Sequence, residues 1–356
     1  MSEISRVLKQ LCAAPQQIAG PGNPDWRGDG VDPVALNQSF AAILDGGASE
    51  MAAGAMIAAA SMLEGARDFE RYAPLLLSLL EVVQDRLSPL PVTSSVAVVV
   101  IPNYADAFRH PHLSALVLLL QRAGIKVLVH GALETVGGLF TTGVLREFGV
   151  LPAPTRSMAS RNLAEKGIAL VPTALLAPGL AAMLAMRNQL GISTPATRVA
   201  NMLTAIADAP VCVAHVLAVP AWLQQAVTAE SCFLRAPALL VVQPNQEKSA
   251  MAAPMILQAD LQRGAWATLY EGDDRLRHTI SSCGAGNYAA EVPAAWDTKA
   301  WAEWTRRLLG GKAPLPVALL QMLAACLVSC GYARDLHEAK AVAAVGGAGS
   351  SGLAAA

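Results

Sequence analysis

Apolar residues in the first hundred positions recur at spacings of three and four, the pattern of helices that bury one face. A break at the Asp-Gly-Gly of residues 45–47 separates two of these segments. The pattern predicts helices at Val34–Leu44, Ala48–Leu63 and Tyr72–Leu87. We therefore expect a helical domain over residues 1–88.

The pattern changes after Pro89, where runs of consecutive β-branched residues begin. SVAVVVI at Ser95–Ile101 predicts a strand that is buried on both faces and ends at Pro102. The elements predicted next are a helix at Leu113–Ala123, a strand at Lys126–His130 and a helix at Thr141–Phe148. Strands and helices that alternate at this spacing imply a parallel sheet with right-handed crossovers.

The rest of the chain returns to helix and then to strands. Helical patterns at Leu180–Gln189 and Thr197–Ile206 predict an excursion over residues 175–205 that rejoins the first domain. The remaining predictions are strands at Val211–Leu217, Ala238–Val242 and Trp266–Tyr270 and helices at Thr298–Leu309 and Leu315–Ser329. The predicted fold class is α/β, with a small N-terminal helical domain, a large α/β domain with a mostly parallel sheet over residues 89–345, and a disordered tail over residues 346–356.

Composition narrows the function classes only slightly. The formal net charge is −1, from 26 basic and 27 acidic residues, so the total demands no charged partner. Apolar runs are far shorter than a membrane span needs, and the N-terminus lacks a signal segment, so we expect a cytoplasmic protein without membrane contact. The 6 cysteines are scattered and contain no Cys-x-x-Cys, which favours buried thiols over a metal site.

Three segments carry a resemblance to a known family. AAILDGGASEMAAGAMIAA, VHGALETVGGLFTTGVLREFGV and AMRNQLGIST occur in the order and spacing of the anthranilate phosphoribosyltransferase family, or glycosyltransferase family three. The resemblance spans Asp32 to Tyr332. It implies the fold shared with nucleoside phosphorylases, phosphoribosyl pyrophosphate and magnesium as ligands, and a homodimer formed through the helical domain.

The resemblance also places the family's ligand-binding positions on residues that lack the required chemistry. IPNYADA stands in place of the glycine-rich pyrophosphate loop, where Pro102 has no N–H and Tyr104 is bulky. The other replaced positions are Val129, Ala132, Leu133, Val136 and Gly137 in the phosphate segment, Ser249 and Ala250 at the magnesium pair, and Ala177 at a histidine. What remains is a vestigial cleft of Asn103, Tyr104, His130, Gly131 and Arg187. We expect no catalytic activity and no cofactor, with magnesium bound only if transferase activity remains.

The chain is more similar still to a divergent YbiB-like branch of this family, which implies nucleic-acid binding by a homodimer. IPNYADAFRHPHLSAL and LAPGLAAMLAMRNQLGIS carry this closer likeness. Between Val92 and Ala218 nine basic residues oppose five acidic ones, so a local basic groove is compatible with a neutral total. The candidates for contacts with single- or double-stranded nucleic acid are Arg156, Arg161, Lys166, Arg187 and Arg198. Ordinary solvated surface charges are the alternative interpretation.

Other interpretations stay open. A transferase or ligand-binding protein would use the old cleft, with Arg187 steering a carboxylate and Asn103 or His130 positioning a partner. A structural partner protein is a third class. Weaker candidates have ordinary interpretations: Arg109–His112 as a loop, His130 as a strand-end residue rather than a base, Ser282–Tyr288 as a turn, and Trp301 with Trp304 as a packing face.

Overall fold

The computed structural model of the 356-residue chain describes residues 3–12, 32–66, 69–94, 97–104, 113–131, 133, 136–192, 194–201, 203, 205–209, 211–213, 215–216, 255–260, 264–269, 292–293 and 297–347. Within these ranges, no helix has the length and apolar character that crossing a membrane requires.

The described residues form the following elements. The helices are α1 (Glu3–Cys12), α2 (Pro33–Leu44), α3 (Glu50–Ala66), α4 (Phe69–Asp85), α5 (Leu113–Arg122), α6 (Val136–Arg146), α7 (Arg156–Lys166), α8 (Thr173–Leu176), α9 (Pro178–Leu190), α10 (Pro195–Ala200), α11 (Thr298–Leu309), α12 (Val317–Ser329) and α13 (Leu336–Gly347). The strands are β1 (Leu90–Pro91), β2 (Val98–Asn103), β3 (Val127–Gly131), β4 (Ile168–Pro172), β5 (Ile206–Ala207), β6 (Val211–Val213), β7 (His215–Val216), β8 (Met255–Asp260) and β9 (Gly264–Leu269).

The chain divides into two compact units. The helical unit comprises Met1–Leu87 and Ala177–Ala200, and the sheet unit comprises Ser88–Leu176 and Asn201–Ala356. In the helical unit, Asp32 caps α2 by accepting a hydrogen bond from the backbone N–H of Val34, with Pro33 in the first helical turn.

The sheet unit is built around a parallel four-stranded sheet in the order β4-β3-β2-β6. The sequence already indicates such a sheet, because β2 and β3 are runs of buried β-branched and apolar residues. Val99, Ile101, Val127 and Val129 belong to the hydrophobic core that α5, α11 and α12 form with this sheet. The predicted α/β class with a mostly parallel sheet is confirmed.

One predicted boundary is wrong in an informative way. Strand β2 does not end before Pro102 but continues to Asn103, with Pro102 paired to His130 of β3. The N–H of Val99 points to β3, where it donates to Lys126, so by alternation position 102 faces the β6 side. Pairing with β6 stops at Val100, so a proline at position 102 interrupts no ladder hydrogen bond there.

Other predicted elements need smaller corrections. The helix predicted at Thr197–Ile206 ends at Ala200, and Ile206 instead begins β5, paired with β1. The single strand predicted at Val211–Leu217 is two strands in different sheets, β6 and β7. The predicted tail begins too early, because α13 extends to Gly347. Elements that the sequence patterns did not predict are α1, α7, α8, α13, β1, β4 and β8. The predicted strand Ala238–Val242 lies outside the described residues.

Candidate functional site

The carboxyl edge of the sheet is where the predicted vestigial cleft begins. The ends of three neighbouring strands lie in register there: Asn103 of β2 is opposite Gly131 of β3, which is opposite Pro172 of β4. Open α/β sheets bind ligands outside the carboxyl ends of their strands, where neighbouring crossovers diverge. Strand β2 occupies that position, since β3 and β4 lie on one side of it and β6 on the other.

Three buried polar side chains meet at this edge. The Tyr104 hydroxyl lies 2.8 Å from Nδ1 of His130, and Thr173 Oγ1 donates to the same hydroxyl at 2.9 Å. The two rings are edge to face, with centroids 5.3 Å apart. Tyr104 and Thr173 are each 2% exposed and His130 is fully buried. We refer to these three residues as the tyrosine cluster.

Burial fixes the chemical state of the tyrosine cluster. The apolar surroundings raise the pKa of the Tyr104 hydroxyl well above its ordinary value, and the hydrogen bond from Thr173 offsets this only in part. The hydroxyl therefore stays protonated at neutral pH. Because it accepts from Thr173, its own proton is available to Nδ1 of His130. Tyr104 is therefore uncharged and lies at the centre of a chain of hydrogen bonds that joins Thr173 to His130.

Gly131 has a structural reason for being glycine. A Cβ atom at this position would lie 2.6 Å from the carbonyl oxygen of Asn103 and 3.1 Å from its Cβ. The ends of β2 and β3 therefore approach closely only because residue 131 has no side chain. The His-Gly pair thus has a role in strand packing that is independent of any phosphate.

The other positions that the resemblance singles out lie in different environments. Val129 is fully buried in β3 and Leu133 is half-buried in the turn that follows. Val136 and Gly137 are in α6, and Ala177 is buried in the helical unit. The positions that lie outside the described residues are Ala132, Ser249 and Ala250.

The donor set at the carboxyl edge does not suit magnesium. Mg²⁺ prefers carboxylate and phosphate oxygens, whereas the described edge offers the amide of Asn103 and the hydroxyl and imidazole groups of the tyrosine cluster. Across the described ranges, no group of three or more His, Cys, Asp or Glu side chains is placed to hold a metal ion.

The basic candidates are divided between the two units. Arg187, in the last turn of α9, and Arg198 of α10 belong to the helical unit, and both are half-buried and engaged in interactions. Arg156, Arg161 and Lys166 are exposed on α7 of the sheet unit. Successive members of this second group are five residues apart, so each is rotated by about 140° from the last. They point to different sides of α7 and cannot line a single groove together.

The remaining sequence candidates are accounted for as follows. Trp301 and Trp304 are buried with their rings edge to face, which confirms a packing role. Cys326 and Cys330 are buried and form no disulfide, as expected. Arg109–His112 and Ser282–Tyr288 lie outside the described residues. Sequence reasoning missed Thr173, because the strand that ends beside it, β4, was not predicted.

The fold defines the class of protein. No protein-family model matches the chain. Its structure is similar to anthranilate phosphoribosyltransferase from Thermus thermophilus, with a TM-score of 0.65 and 14% identity over 97% of this chain and 94% of that one. It is also similar to the Saccharomyces cerevisiae enzyme solved in complex with PRPP and Mg, with a TM-score of 0.59 and 14% identity over 97% and 94% of the two chains. The chain has the anthranilate phosphoribosyltransferase fold.

The chain also has a relative that is similar to it in sequence. The chain is 27% identical over 243 residues to the uncharacterized protein YbiB of Escherichia coli strain K12, which covers 67% of this chain and 72% of YbiB. The resemblance that the sequence motifs indicated is confirmed, both to anthranilate phosphoribosyltransferases in fold and to YbiB in sequence.

Proposed function

We propose that this protein is a non-catalytic, nucleic-acid-binding homodimer built on the anthranilate phosphoribosyltransferase fold. The observation that carries the loss of catalysis is the tyrosine cluster. Tyr104 occupies the position that follows β2, where the family resemblance expects a glycine-rich loop, and its hydroxyl is bonded to His130 and Thr173. A phosphate there would have to displace buried protein groups that are hydrogen-bonded to one another.

The expected replacements add to this argument. The resemblance assigns basic and hydroxyl side chains to positions now held by Val129, Leu133 and Val136, and a carboxylate pair to Ser249 and Ala250. Removing a single donor from a charge-stabilising site typically costs about 3 kcal/mol of transition-state stabilisation. Losing most of them together leaves no basis for transfer from phosphoribosyl pyrophosphate.

Calorimetry separates this proposal from a transferase or ligand-binding protein in which Arg187 steers a carboxylate. Phosphoribosyl pyrophosphate should give no binding heat, with or without magnesium, at concentrations that saturate an active anthranilate phosphoribosyltransferase run in parallel. Magnesium-dependent binding would favour the transferase instead.

Nucleic-acid binding is supported by the excess of basic residues between Val92 and Ala218, nine against five acidic ones, and by the YbiB-like motifs. Arg156, Arg161 and Lys166 are exposed, but they point to different sides of α7, so they do not share one binding surface. A fluorescent single-stranded oligonucleotide should bind at low salt, and its binding constant should fall steeply as salt rises, because contacts with phosphates release counterions. Absence of binding at low salt, or a binding constant that does not respond to salt, would refute this part.

The homodimer is supported by one face of α3. Met51 and Met62 are 83% and 73% exposed, and Ala55 between them is exposed on the same side of the helix. No charged residue occurs between Glu50 and Glu64, so the stripe is apolar along its length. Large exposed apolar side chains that share a helix face mark interaction surfaces.

Light scattering tests the dimer. The double variant Met51→Glu/Met62→Glu should be monomeric where the parent is dimeric, because charges would be buried at the interface. Val34→Glu is the matched control, since Val34 is 61% exposed in the same unit but lies in α2. A monomeric parent protein, or equal loss of dimer in the control, would contradict the proposal.

A further inference from the structure

The amino edge of the sheet, where β2, β3 and β4 begin, collects the C-terminal ends of helices. In the sheet unit α5, α6 and α7 each run back from the carboxyl edge, and each ends in a basic residue: Arg122, Arg146 and Lys166. Helix C-termini carry partial negative charge, which favours cations in the last turn. The helical geometry therefore gathers basic side chains at this edge.

Further cations join them. Helix α11 ends here, because Leu309 lines the same surface depression as Arg122 and Lys166. Arg306 and Arg307 lie in the last turn of α11, and Lys312 follows the two glycines after that helix. Lys126 precedes β3. We refer to Arg122, Lys126, Arg146, Lys166, Arg306, Arg307 and Lys312 as the amino-edge cations.

Side chains already satisfy several of the helix-end carbonyls. Gln121 donates to the carbonyl of Lys166 at 2.8 Å, and Arg122 donates to the carbonyl of Leu309. Arg306 donates to the carbonyl of Glu147 at 3.1 Å. These bonds satisfy carbonyls at or next to the C-terminal ends of α6, α7 and α11.

Acidic side chains near this edge are fewer than the cations. Glu147 and Glu303 lie 3.5 Å from Arg306 and neutralise it. Glu165 is adjacent to Lys166 on α7, and Asp208 precedes β6. No ion pair is found for Lys126, Lys166 or Lys312 within the described part of the chain, so their charges remain available to a partner.

A concave site lies among these charges. The depression has a volume of about 290 Å³, near the lower limit for small-molecule sites. Arg122 and Lys166 lie in its wall, and its apolar lining includes Leu118, Ile168 and Phe148. The Phe148 ring is half-buried and carries Arg306 at 5.3 Å from its centre.

We infer that the amino-edge cations and this depression form a binding surface for single-stranded nucleic acid, an inference that rests on the proposed function. The amino-edge cations other than Arg306 hold the phosphate backbone, and one unstacked base enters the depression, where apolar walls cover its faces. A duplex offers phosphates but no free base. The binding surface thus lies at the edge of the sheet opposite the tyrosine cluster.

Matched charge removals on one helix test the location. Lys166 is the last residue of α7 and lies at the amino edge, so Lys166→Gln removes one positive charge there. The control, Arg156→Gln, removes one positive charge about 15 Å away, at the other end of the same helix. The full-length protein and the double variant Lys126→Gln/Lys166→Gln are titrated with a labelled oligothymidylate at several salt concentrations. The double variant should bind on the order of tenfold more weakly at low salt. Its slope of log binding constant against log salt should fall by about 0.7 for each cation removed.

The base contact has its own test. An abasic oligonucleotide of equal length and charge should bind about tenfold more weakly than oligothymidylate, because it cannot fill the depression. A duplex of equal charge should also bind more weakly. Equal binding of all three ligands would overturn the base-binding part and leave a purely electrostatic surface.

The outcomes separate this inference from the proposed function. If the unaltered protein binds no oligonucleotide at low salt, the proposed function fails. If it binds, but Arg156→Gln lowers the salt slope while Lys126→Gln/Lys166→Gln does not, the function stands and the location at the amino edge is wrong.

Discussion

The two edges of the same parallel sheet differ in how their polar groups are used. At the carboxyl edge, Tyr104, His130 and Thr173 are buried, and the Tyr104 hydroxyl is hydrogen-bonded to both of the other side chains. At the amino edge, Lys166 and Lys126 are at least partly exposed, and no ion pair is found for them in the described residues. One edge is closed by its own side chains and the other presents charge to solvent.

This contrast separates what the backbone register determines from what the side chains determine. The register of β2, β3 and β4 brings Asn103, Gly131 and Pro172 together whatever the side chains do. The polar side chains buried at this edge are hydrogen-bonded within the protein, as buried polar groups usually are. The helix C-termini at the other edge favour cations for structural reasons, and such cations are then available for a partner.

Tyr104→Ala should have the largest effect and would break the contrast at the carboxyl edge. The variant removes a fully buried aromatic ring and leaves His130 and Thr173 without their shared partner. We expect the free energy of unfolding to fall by about 3–5 kcal/mol, measured by urea denaturation. A change below about 1 kcal/mol would show that the cluster is not a packed part of the core.

Gly131→Ala should be next in size. The added Cβ would collide with the Asn103 carbonyl, so β2 and β3 must separate, at a cost of about 1–3 kcal/mol. Gly54→Ala is the control, because residue 54 lies inside α3 with no neighbouring atom within 4 Å. That change should stabilise the protein by about 0.5–1 kcal/mol. Stabilisation by both substitutions would contradict the close approach at Gly131.

Tyr104→Phe isolates the hydroxyl of the tyrosine cluster. It keeps the ring but removes the hydrogen bonds to His130 and Thr173, so we expect a loss of about 1–3 kcal/mol at neutral pH. Thermal unfolding of Tyr104→Phe and Tyr104→Ala under the same conditions compares the stability that each substitution removes. A loss as large as that of the alanine variant would assign the stabilisation to the hydrogen bonds rather than to the ring.

Tyr104→Phe should also change how the free energy of unfolding depends on pH in the alkaline range. Burial raises the pKa of the Tyr104 hydroxyl, so the folded protein keeps this proton at pH values where the unfolded chain has lost it. The stabilisation that comes from the buried, protonated Tyr104 hydroxyl is complete below the ordinary tyrosine pKa of about 10 and is lost as pH rises above it. The stability of the parent protein should therefore decline more steeply above about pH 10 than that of Tyr104→Phe. Parallel declines would show that Tyr104 titrates normally.

Much of the fold could be predicted from the sequence, because its signals are local. The β-branched run of β2 and the apolar run of β3 predict buried parallel strands, and α11 was predicted with its observed bounds, Thr298–Leu309. IALVP of β4 was missed, although it is buried in four of its five positions, because it is short and follows a strongly polar helix. Without β4, its neighbour Thr173 had no assigned place.

The candidate site was predictable only in part. Asn103, His130 and Gly131 could be placed at a strand end, since each lies at or near the end of a recognisable strand. The bond from Thr173 to Tyr104 joins residues 69 positions apart and depends on the register of three strands. The five-residue spacing of Arg156, Arg161 and Lys166 is visible in the sequence. That these side chains point to different sides of one helix could not be inferred, because the sequence pattern did not predict α7.

Lys166→Gln should have the smallest effect on stability and sharpens the contrast at the amino edge. The substitution removes only a favourable interaction with the C-terminus of α7, so the free energy of unfolding should fall by about 0.3–1 kcal/mol. Arg156→Gln removes a cation from the N-terminal turn of the same helix, where positive charge is unfavourable, and should be neutral or slightly stabilising. Both values come from urea denaturation. If Lys166→Gln cost as much as Tyr104→Phe, the lysine would be part of the folded framework, and its charge would not be available to a partner.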